Sequence, residues 1–598
     1  MGIGTPSESP AVVVKEIDLT GGVPNTQSTT GAAVINSRWG PVEKRTLVDN
    51  EDTLVDIFAS PDSSNTISFH EANFFLKYSS KLQVVRIIDT GAKNSVSTTG
   101  QTGAATPSTD APETVKNEDD FNSQLSALDS DLHTFIGKYP GAIGNSLQVQ
   151  MCPASDSSTN SAFDAWAYKD NFDAAPGNSS FANKKNATDD EVHVAVIDKN
   201  GQFTGTNGTV LETYPFMSVA KNAKNDDGTS NYVKDVINER SEYVWMVDFD
   251  SDFRQAGAGT NMADSGSNFN LTTAATGATK PASQIKTFNF ASGTDVSSLT
   301  TGNILSGFDL FEDKDQVEID FLIAPSMASR SDTTTVVNDL VTTAASLRKD
   351  CVVVASPART DVVNVTNAAT AVSNVVTTAN TFTTSSYLFV DNNYLKVYDK
   401  FNDQFINIAA ASSTAGLMAA TDLNRAAWFS PAGSRRGQYL GITSIAYTPT
   451  KAQRDTLYKA SVNPIANIPG AGVILFGDKT NLSRPSAFDR INVRRLFLVL
   501  ERAIARAAEQ VLFEFNDEFT RAEFVNIVEP VLREVKGRRG ITDFRVVADE
   551  TNNTPAVIDR NEFIASIFIK PARSINFVTL NFVAVRTGVD FEEVVGTV

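Results

Sequence analysis

The sequence predicts a multidomain protein that combines α/β and α+β parts. Three observations indicate this class: a strongly amphipathic helix near the C-terminus, a strand–helix–strand pattern in the middle of the chain, and a long polar insertion with short strands. At 598 residues and about 150 residues per domain, we expect roughly three to five domains. Hydrophobic residues make up 41% and aromatic residues 9% of the chain, which is typical of globular proteins.

The amphipathic helix is predicted over 490–515. At about 100° per residue, its apolar side chains fall on one side and its basic side chains on the other. Basic residues with apolar neighbours that project outward are typical of a docking surface, and a merely solvated face is the alternative. The predicted outward set is Arg495, Arg502, Arg506, Leu498 and Val499. The predicted core-facing set is Val493, Phe497, Leu500, Ile504, Ala507 and Val511.

The charge of this helix contrasts with that of the whole chain. The chain carries 51 Lys and Arg against 70 Asp and Glu, a net charge of -19. Residues 484–506 carry six Arg against two acidic residues. The overall acidity argues against direct nucleic-acid binding, because a sequence-independent binder needs a basic surface that displaces counterions.

The first ten residues, the lack of a long apolar run and the two cysteines indicate in which compartment the chain folds. Residues 1–10 lack the basic and apolar regions of a signal peptide. No run of about 20 apolar residues occurs, so we expect no membrane insertion and folding in a cytoplasm. Cys152 and Cys351 lie too far apart in sequence to indicate a disulfide framework or a metal site, and buried thiols are expected.

A single strand is predicted over 11–17, within an N-terminal arm of residues 1–24. An isolated strand is stable only when it pairs with a sheet from elsewhere. That sheet belongs either to a distant part of this chain or to another subunit, and the residues alone favour the first.

The middle of the chain predicts an α/β domain that is split in sequence. A strand over 317–325, a helix over 333–348 and a strand over 351–355 have the spacing of a parallel crossover. Flanking elements of the same kind are a short strand that ends in a turn over 31–41, strands over 82–88 and 387–398, and helices over 50–58, 68–78, 364–378 and 411–422. The predicted domain therefore joins 25–90 with 310–450, and 91–309 is an exposed, mostly β insertion of one or two lobes.

The C-terminal part, 451–598, predicts an α+β domain. Thr520-Arg-Ala-Glu523 reads as a capping box that opens a second helix, which Gly537 ends. Strands are predicted over 544–548, 563–569 and 575–585, with a short terminal strand over 589–595.

No catalytic, cofactor or metal site can be assembled from the sequence. His70, His133 and His193 are dispersed and share no triad or zinc spacing. In 472–480, Asp478 separates the Gly and Lys that a phosphate-binding loop keeps adjacent. A nucleotide-using enzyme centred on this segment remains the alternative. The acidic run at 248–252 lacks the Gly and Glu of a calcium loop.

Short motifs at both ends of the chain carry a family resemblance. They are Pro10-Ala-Val-Val-Val-Lys-Glu16, Trp39-Gly-Pro41, Leu82-Gln-Val-Val-Arg86, Ser430-Pro-Ala-Gly433, Asn463-Pro-Ile465, Phe476-Gly-Asp-Lys479, Ile491-Asn-Val-Arg-Arg-Leu496, Phe513-Glu-Phe-Asn516 and Gly537-Arg-Arg-Gly540. In this order they resemble the tail sheath proteins of contractile-tailed bacteriophages, of the large multidomain kind. The resemblance covers about 8–90 and 320–595.

The resemblance implies a non-enzymatic subunit that forms stacked hexameric rings around a tail tube and contracts to drive the tube through the host envelope. It implies that the N-terminal arm joins the C-terminal domain as an inner domain, and that both terminal arms add strands to neighbouring subunits. This reverses the preference for an intrachain strand. The arm residues implied are Val12, Val13, Val14, Val589, Phe591 and Val594.

The partners implied are further copies of the chain, the tail tube protein, and the baseplate and tail terminator proteins. The tube would face Arg495, Arg502 and Arg506, together with Leu498 and Val499. The protein would belong to the virion and assemble in the host cytoplasm. The sheath of a bacterial contractile injection system or of a phage-tail-like bacteriocin is the alternative, although the long insertion favours the phage.

Overall fold

A computed structural model describes residues 29–97, 114–124, 134–154, 161–184, 190–247 and 285–575. The predicted strand over 11–17, the arm residues at both ends and the acidic run at 248–252 lie outside these residues. The chain divides into a larger compact unit, 27–427 with 431–498, and a smaller one, 1–26 with 428–430 and 499–598. The four-part domain division made from the sequence stays a prediction.

The strands of the described residues follow in chain order. They are β1 (Gly31–Ile35), β2 (Arg45–Val48), β3 (Leu82–Arg86), β4 (Asn94–Ser97), β5 (Phe135–Pro140), β6 (Leu147–Pro153), β7 (Glu191–Asp198), β8 (Thr209–Ser218), β9 (Val244–Met246), β10 (Lys286–Ala291), β11 (Phe321–Ile323), β12 (Val352–Ala355), β13 (Leu388–Val390), β14 (Tyr394–Asp399), β15 (Gln404–Ala409), β16 (Ser444–Ile445), β17 (Ile465–Ile468), β18 (Gly472–Leu475), β19 (Ile541–Val547) and β20 (Ser566–Pro571).

The helices of the same residues also follow in chain order. They are α1 (Glu51–Phe58), α2 (Thr66–Leu76), α3 (Glu118–Gln124), α4 (Ser161–Ala165), α5 (Ser180–Lys184), α6 (Val233–Arg240), α7 (Thr301–Asp309), α8 (Arg330–Thr342), α9 (Arg359–Val362), α10 (Ala368–Ala379), α11 (Ala411–Asn424), α12 (Lys451–Lys459), α13 (Ile491–Glu509), α14 (Glu518–Gly537) and α15 (Pro555–Ile558). A π-helical turn, Thr343–Arg348, continues α8.

A six-stranded sheet with the order β13-β12-β11-β1-β3-β2 organises the larger unit. The strand β1 lies between β11 and β3 and runs parallel to both, so Gly31 is paired with Phe321 and with Leu82. The parallel pairing of β11 with β12 confirms the predicted crossover. Only the edge strand β2 runs antiparallel to its neighbour. Both faces of the inner strands are apolar, as expected for a parallel sheet covered on both sides.

Helices cover the two faces of this sheet. Because successive side chains of a strand point to opposite faces, Val34 and Ile35 of β1 lie in different cores. Val34 lies in the core that contains Phe308 of α7 and Val336 of α8, on what we call the α7/α8 face. Ile35 lies in the core that contains Met418 of α11 and residues of α2, on the α2/α11 face.

A second sheet of the larger unit has the order β8-β7-β6-β10-β4-β5-β9, and its strands pair antiparallel. Arg86 at the end of β3 connects the two sheets. Its buried guanidinium donates to the carbonyl oxygens of Ser37, Gly40 and Pro140, at 3.0, 2.8 and 2.6 Å. Burial lowers the pKa of Arg86 to about 9. Gly40 has a φ of 100°, and a Cβ at this position would lie 2.6 Å from the Phe58 ring, so the turn that presents its carbonyl requires glycine.

The single strand predicted over 387–398 is wrong. The structure has two strands there, because β13 belongs to the six-stranded sheet and β14 to a three-stranded sheet with β15 and β16. Between them, Asn392 donates to the hydroxyl of Tyr447 at 2.8 Å and Asn393 to the carbonyl of Tyr447 at 2.7 Å. These side-chain bonds hold the backbone where it leaves one sheet for the other.

The smaller unit contains α14 and the antiparallel pair β19–β20. The predicted capping box at Thr520 is wrong, because α14 begins at Glu518. The carboxylate of Asp517 caps the helix and accepts from the backbone N–H of Thr520 at 2.8 Å. Aspartate precedes threonine in both the sequence and the ranking of N-cap residues, which explains the earlier start. Trp428 donates from Nε1 to the carbonyl of Arg538 at 3.2 Å, just after the helix.

Candidate functional site

The predicted docking helix is α13, which begins at Ile491 as expected and ends at Glu509 rather than near residue 515. The division between the two units falls within it, between Leu498 and Val499. The first part of the helix is therefore described with the larger unit and the second with the smaller.

The start of α13 is anchored by the segment that resembles a phosphate-binding loop. The backbone N–H of Ile491 donates to the carbonyl of Asp478 at 2.9 Å. Arg490 donates from Nη1 to the Asp478 carboxylate at 2.9 Å and to the hydroxyl of Tyr458. Lys479 donates from Nζ to the carbonyl of Tyr458 at 2.7 Å, and its ammonium lies 4.2 Å from the centre of that ring. The charged groups of this segment thus hold the helix in place.

Arg494 fixes the first turn of the helix to the end of the six-stranded sheet. Its guanidinium donates to the hydroxyl of Ser386 from Nη2 and Nε, at 2.7 and 3.1 Å. It lies between two aromatic rings, 4.1 Å from the centre of Phe488 and 4.3 Å from the centre of Tyr387. A desolvated guanidinium between rings contributes both packing and cation–π attraction.

Arg495 does not project outward, so this part of the predicted docking face is wrong. It is 1% exposed, donates from Nη1 to the carbonyl of Met418 at 2.8 Å, and has Nη2 4.0 Å from the carboxylate of Asp422. The guanidinium also lies 5.1 Å from the centre of the Phe321 ring. Burial lowers the pKa of Arg495, and the charge of Asp422 opposes that shift.

Leu498 is also buried, and it packs in the core of the α2/α11 face with Ile491. All six residues of 491–496 are buried. A helix enclosed on every side has no outward face. For this reason the charge pattern wrongly predicted that Arg495 and Leu498 project outward.

The second part of α13 keeps an outward side. Arg502 and Arg506 are partly exposed, as is Val499, and Glu501 beside them is exposed. These three predicted docking residues therefore reach the surface of the described chain, and their tube-facing role stays a prediction. The predicted core-facing residues Val493, Leu500 and Ala507 are buried.

An exposed apolar segment follows α13. The sequence analysis did not predict that this segment lies on the surface. Its side chains, Leu512, Phe513, Phe515 and Phe519, are 60 to 106% exposed. Phe513 has a φ of 70°, a left-handed conformation that is uncommon for an aromatic residue. Asn516 holds the segment, because it donates to the carbonyl of Glu562 at 2.7 Å and accepts from Arg521 at 2.9 Å. A signal for this surface was present in the sequence. The spacing of these apolar residues continues neither the apolar side nor the basic side of α13.

The pair β19–β20 presents two strand edges. Within the part of the chain that the structure describes, no third strand pairs with it. Phe568 on β20 is 60% exposed. Unpaired backbone N–H and C=O groups of this kind can accept a further strand.

The histidines and cysteines that the structure describes are buried. His70 and His193 are buried, and burial is the main cause that lowers the pKa of each; His133 lies outside the described residues. Cys152 and Cys351 are buried free thiols, as predicted, and burial raises the pKa of Cys152 to about 12. Among the described residues, no group of three or more His, Cys, Asp or Glu could hold a metal ion. In the same residues, no helix combines the length and apolar character that crossing a membrane requires.

Comparison with known proteins defines the class first. Residues 298–481 match the family described as the phage tail sheath protein central domain, and residues 483–584, which include α13, match the phage tail sheath C-terminal domain. A solved structure, the sheath tail protein of Listeria innocua, has a TM-score of 0.50 at 11% identity and covers 91% of this chain and 96% of its own. At that identity the likeness concerns the fold alone.

Two curated relatives extend the match to nearly the whole chain. The tail sheath protein of Vibrio phage KVP40 is 31% identical over 669 residues, covering 98% of this chain and 99% of the relative. The tail sheath protein of Enterobacteria phage T4 is 32% identical over 658 residues with the same coverage, 98% and 99%. The chain therefore belongs to the family of phage tail sheath proteins. This confirms the family predicted from the motifs, whose members are structural components of the virion.

Proposed function

We propose that this chain is the subunit of a contractile tail sheath. It assembles as stacked six-membered rings around a tail tube and contracts to drive the tube through the host cell envelope for genome delivery. The observation that carries this proposal is the match with phage tail sheath proteins over 98% of the chain at 31 to 32% identity.

The force comes from the packing of subunits. The sheath assembles in an extended, metastable state and passes to a contracted state of lower free energy. Each subunit contributes the difference in interface free energy between the two packings, and a wave of contraction adds these differences along the stack. No nucleotide is consumed.

Strand exchange keeps the subunits linked while they move. The arms around Val13 and Phe591 add strands to sheets of neighbouring subunits, which uses backbone hydrogen bonds and tolerates rotation about the arm. The edges of β19–β20, which pair with no third strand among the described residues, are one acceptor for such a strand. A swapped strand there would also cover the exposed Phe568.

The tail tube faces the second part of α13 in the extended state. Arg502, Arg506 and Val499, which are partly exposed, would make this contact. Arg495 and Leu498 are excluded because they are buried. Exposed ion pairs contribute about 0 to 1 kcal/mol each, so the contact positions the tube and still releases it. The remaining partners are the baseplate and tail terminator proteins at the two ends of the sheath, and assembly takes place in the host cytoplasm.

Electron microscopy of the purified full-length chain tests the proposal. We expect hollow tubes or stacked rings, and dispersed monomers at every salt and protein concentration would refute it. Deletion of 1–20 or of 589–598 should leave a folded subunit, measured by thermal unfolding, that no longer forms tubes. Unfolding of either truncated chain would contradict the role of the arms.

A further inference from the structure

The segment between α13 and α14 presents a compact apolar surface, and we call its residues 512–519 the apolar elbow. Its four apolar side chains are 60 to 106% exposed. With about 150 to 250 Å² for one aromatic side chain, they present roughly 600 Å² of apolar surface. The largest apolar patch on a typical monomer measures about 300 to 600 Å². The apolar elbow alone therefore reaches the upper end of that range.

The apolar elbow is held in a defined conformation. The side chain of Asn516 is fixed from both sides by its bonds to the Glu562 carbonyl and the buried Arg521. Phe513 keeps its left-handed backbone although it is 106% exposed, so its ring has no packing partner among the described residues. Sparsely populated backbone conformations cluster at sites that bind partners. A fixed and fully exposed ring is preorganised for such a contact.

Carboxylates border the rings of the apolar elbow. Glu514 and Glu518 are exposed, and neither carboxylate has a hydrogen bond or an ion pair among the described residues. Asp517 between them caps α14. Two apolar elbows that met across a two-fold axis would bring these like charges together, which is unfavourable. The apolar elbow therefore fits a different surface, one that is partly apolar and carries cations.

One face of the pair β19–β20 is such a surface. Arg545 and Phe568 stand opposite each other in the register, so they share a face. Phe568 is 60% exposed, and Arg545 is exposed and has no ion pair among the described residues. Lys570, on the same face, lies 4.0 Å from Asp543, whose carboxylate accepts instead from Lys536 at 3.2 Å. We call Arg545, Phe568 and Lys570 the basic β-face.

The apolar elbow and the basic β-face of one subunit lie on different sides of β19–β20. Successive side chains of a strand alternate between two faces. The other face, with Phe544 and Ile569, is half-buried. It is covered by α14, which begins at the apolar elbow, packs against β19 and places the Lys536 ammonium 5.8 Å from the centre of the Phe544 ring. A contact between the two surfaces therefore joins two copies of the chain.

We propose that the apolar elbow of one copy packs on the basic β-face of a second copy, and that its two unpaired carboxylates pair there with the two cations. This rests on the proposed function, because it assumes that the chain assembles with itself. A contact between two different surfaces of one protein generates rings or open helices. The apolar elbow supplies most of the roughly 800 Å² that each partner buries in a standard interface. Strand exchange uses the edges of β19–β20 and this contact uses a face, so both can form together.

Charge reversal tests the pairing in the purified full-length chain, without a tail tube. The first variant carries Glu514→Lys and Glu518→Lys, and the second carries Arg545→Glu and Lys570→Glu. Each alone should reduce the sedimentable tubes by about tenfold or more at moderate salt. A chain with all four substitutions has exchanged the two signs and should recover tubes to within about twofold of the parent. Thermal unfolding checks that every variant is folded.

Shortening the rings tests the apolar part of the contact. Phe515→Ser with Phe519→Ser removes about half of the apolar surface of the elbow. It should reduce the tubes by about tenfold or more, as expected for aromatic residues at the centre of an interface. The matched controls change exposed residues elsewhere: Leu347→Ser, where the side chain is 53% exposed, and Lys451→Glu with Lys459→Glu in α12. Both should assemble like the parent.

The outcomes separate this contact from the sheath function. If the parent forms tubes and the reversed or shortened variants form them equally well, the contact is overturned and the sheath function stands. A chain with all four charge substitutions that is folded and still fails to assemble overturns the contact in the same way. Elbow variants that assemble normally alone but no longer co-sediment with the tail tube would assign the apolar elbow to the tube instead. If the parent formed no tubes, the sheath function and this contact would both be refuted.

Discussion

Replacing Arg495 by methionine separates a structural role from a docking role for α13. Methionine keeps most of the aliphatic volume and removes the charge. The change deletes the bond to the carbonyl of Met418 at 2.8 Å, and hydrogen bonds from charged donors contribute about 1.5 to 3 kcal/mol. It also removes the cation that lies 4.0 Å from the Asp422 carboxylate, whose side chain is 11% exposed.

The size of the effect follows from these two losses. Removing one partner of a buried pair costs about 3 to 5 kcal/mol, and the long separation from Asp422 places Arg495→Met near the lower end, at about 3 kcal/mol. The matched control is Arg502→Met on the same helix, which is partly exposed and should cost less than about 1 kcal/mol.

Urea unfolding of the full-length chain, at concentrations too low for assembly, measures the difference through the fluorescence and circular dichroism midpoints. A multidomain chain need not unfold in one step. The urea midpoint of the transition in which the larger unit unfolds is therefore compared between variants. If Arg495→Met cost no more than Arg502→Met, the burial of Arg495 would carry no stability and our interpretation of the first turns of α13 would be wrong.

Three further predictions concern pH, assembly and backbone strain. Burial raises the pKa of Asp391 from 3.8 to about 7. Between these two values the folded state binds more protons than the unfolded state. The free energy of unfolding should therefore fall by up to about 4 kcal/mol as pH rises from about 4 to about 7. Asp391→Asn should flatten this dependence in urea midpoints measured at pH 5 and pH 8, and an unchanged slope would contradict the assignment. Charge reversal of Arg502 and Arg506 should weaken assembly on the tube most strongly at low salt, and thermal unfolding of the isolated chain checks that the variant is folded. Unaltered co-sedimentation with the tube would assign this face to another partner. Phe513→Gly should change the free energy of unfolding by no more than about 1 kcal/mol, because the side chain is fully exposed and glycine readily adopts the φ of 70°. By contrast, Phe524→Ala in α14, where the side chain is 2% exposed, should cost about 3 to 5 kcal/mol.

The parts of the fold that could be predicted are those set by local pattern. The helices α1, α2 and α11 and the start of α13 lie within a few residues of their predicted bounds, because each has a stop signal or an apolar stripe of its own. The parallel pairing of β11 with β12 followed from the spacing of strand, helix and strand.

The parts that could not be predicted depend on contacts between distant residues. Periodicity places Arg495 on a side of its helix, but it does not say whether Met418 and Asp422 enclose that side. Likewise, the change of sheet after β13 depends on Tyr447, more than fifty residues further on. At α14 the signal was present, since Asp517 outranks Thr520 as an N-cap.

The position of β1 between β11 and β3 bears on how the chain folds during synthesis. The pairing of Gly31 with Phe321, like the bond from Thr30 to Asp320, spans 290 residues. At about 5 to 20 residues per second, the ribosome needs roughly 15 to 60 s to supply the missing strand. Every strand of the seven-stranded sheet lies between them, so that sheet can close first. During this interval one backbone edge of β1 stays unpaired. The nascent chain is then most open to misassociation and to capture by chaperones.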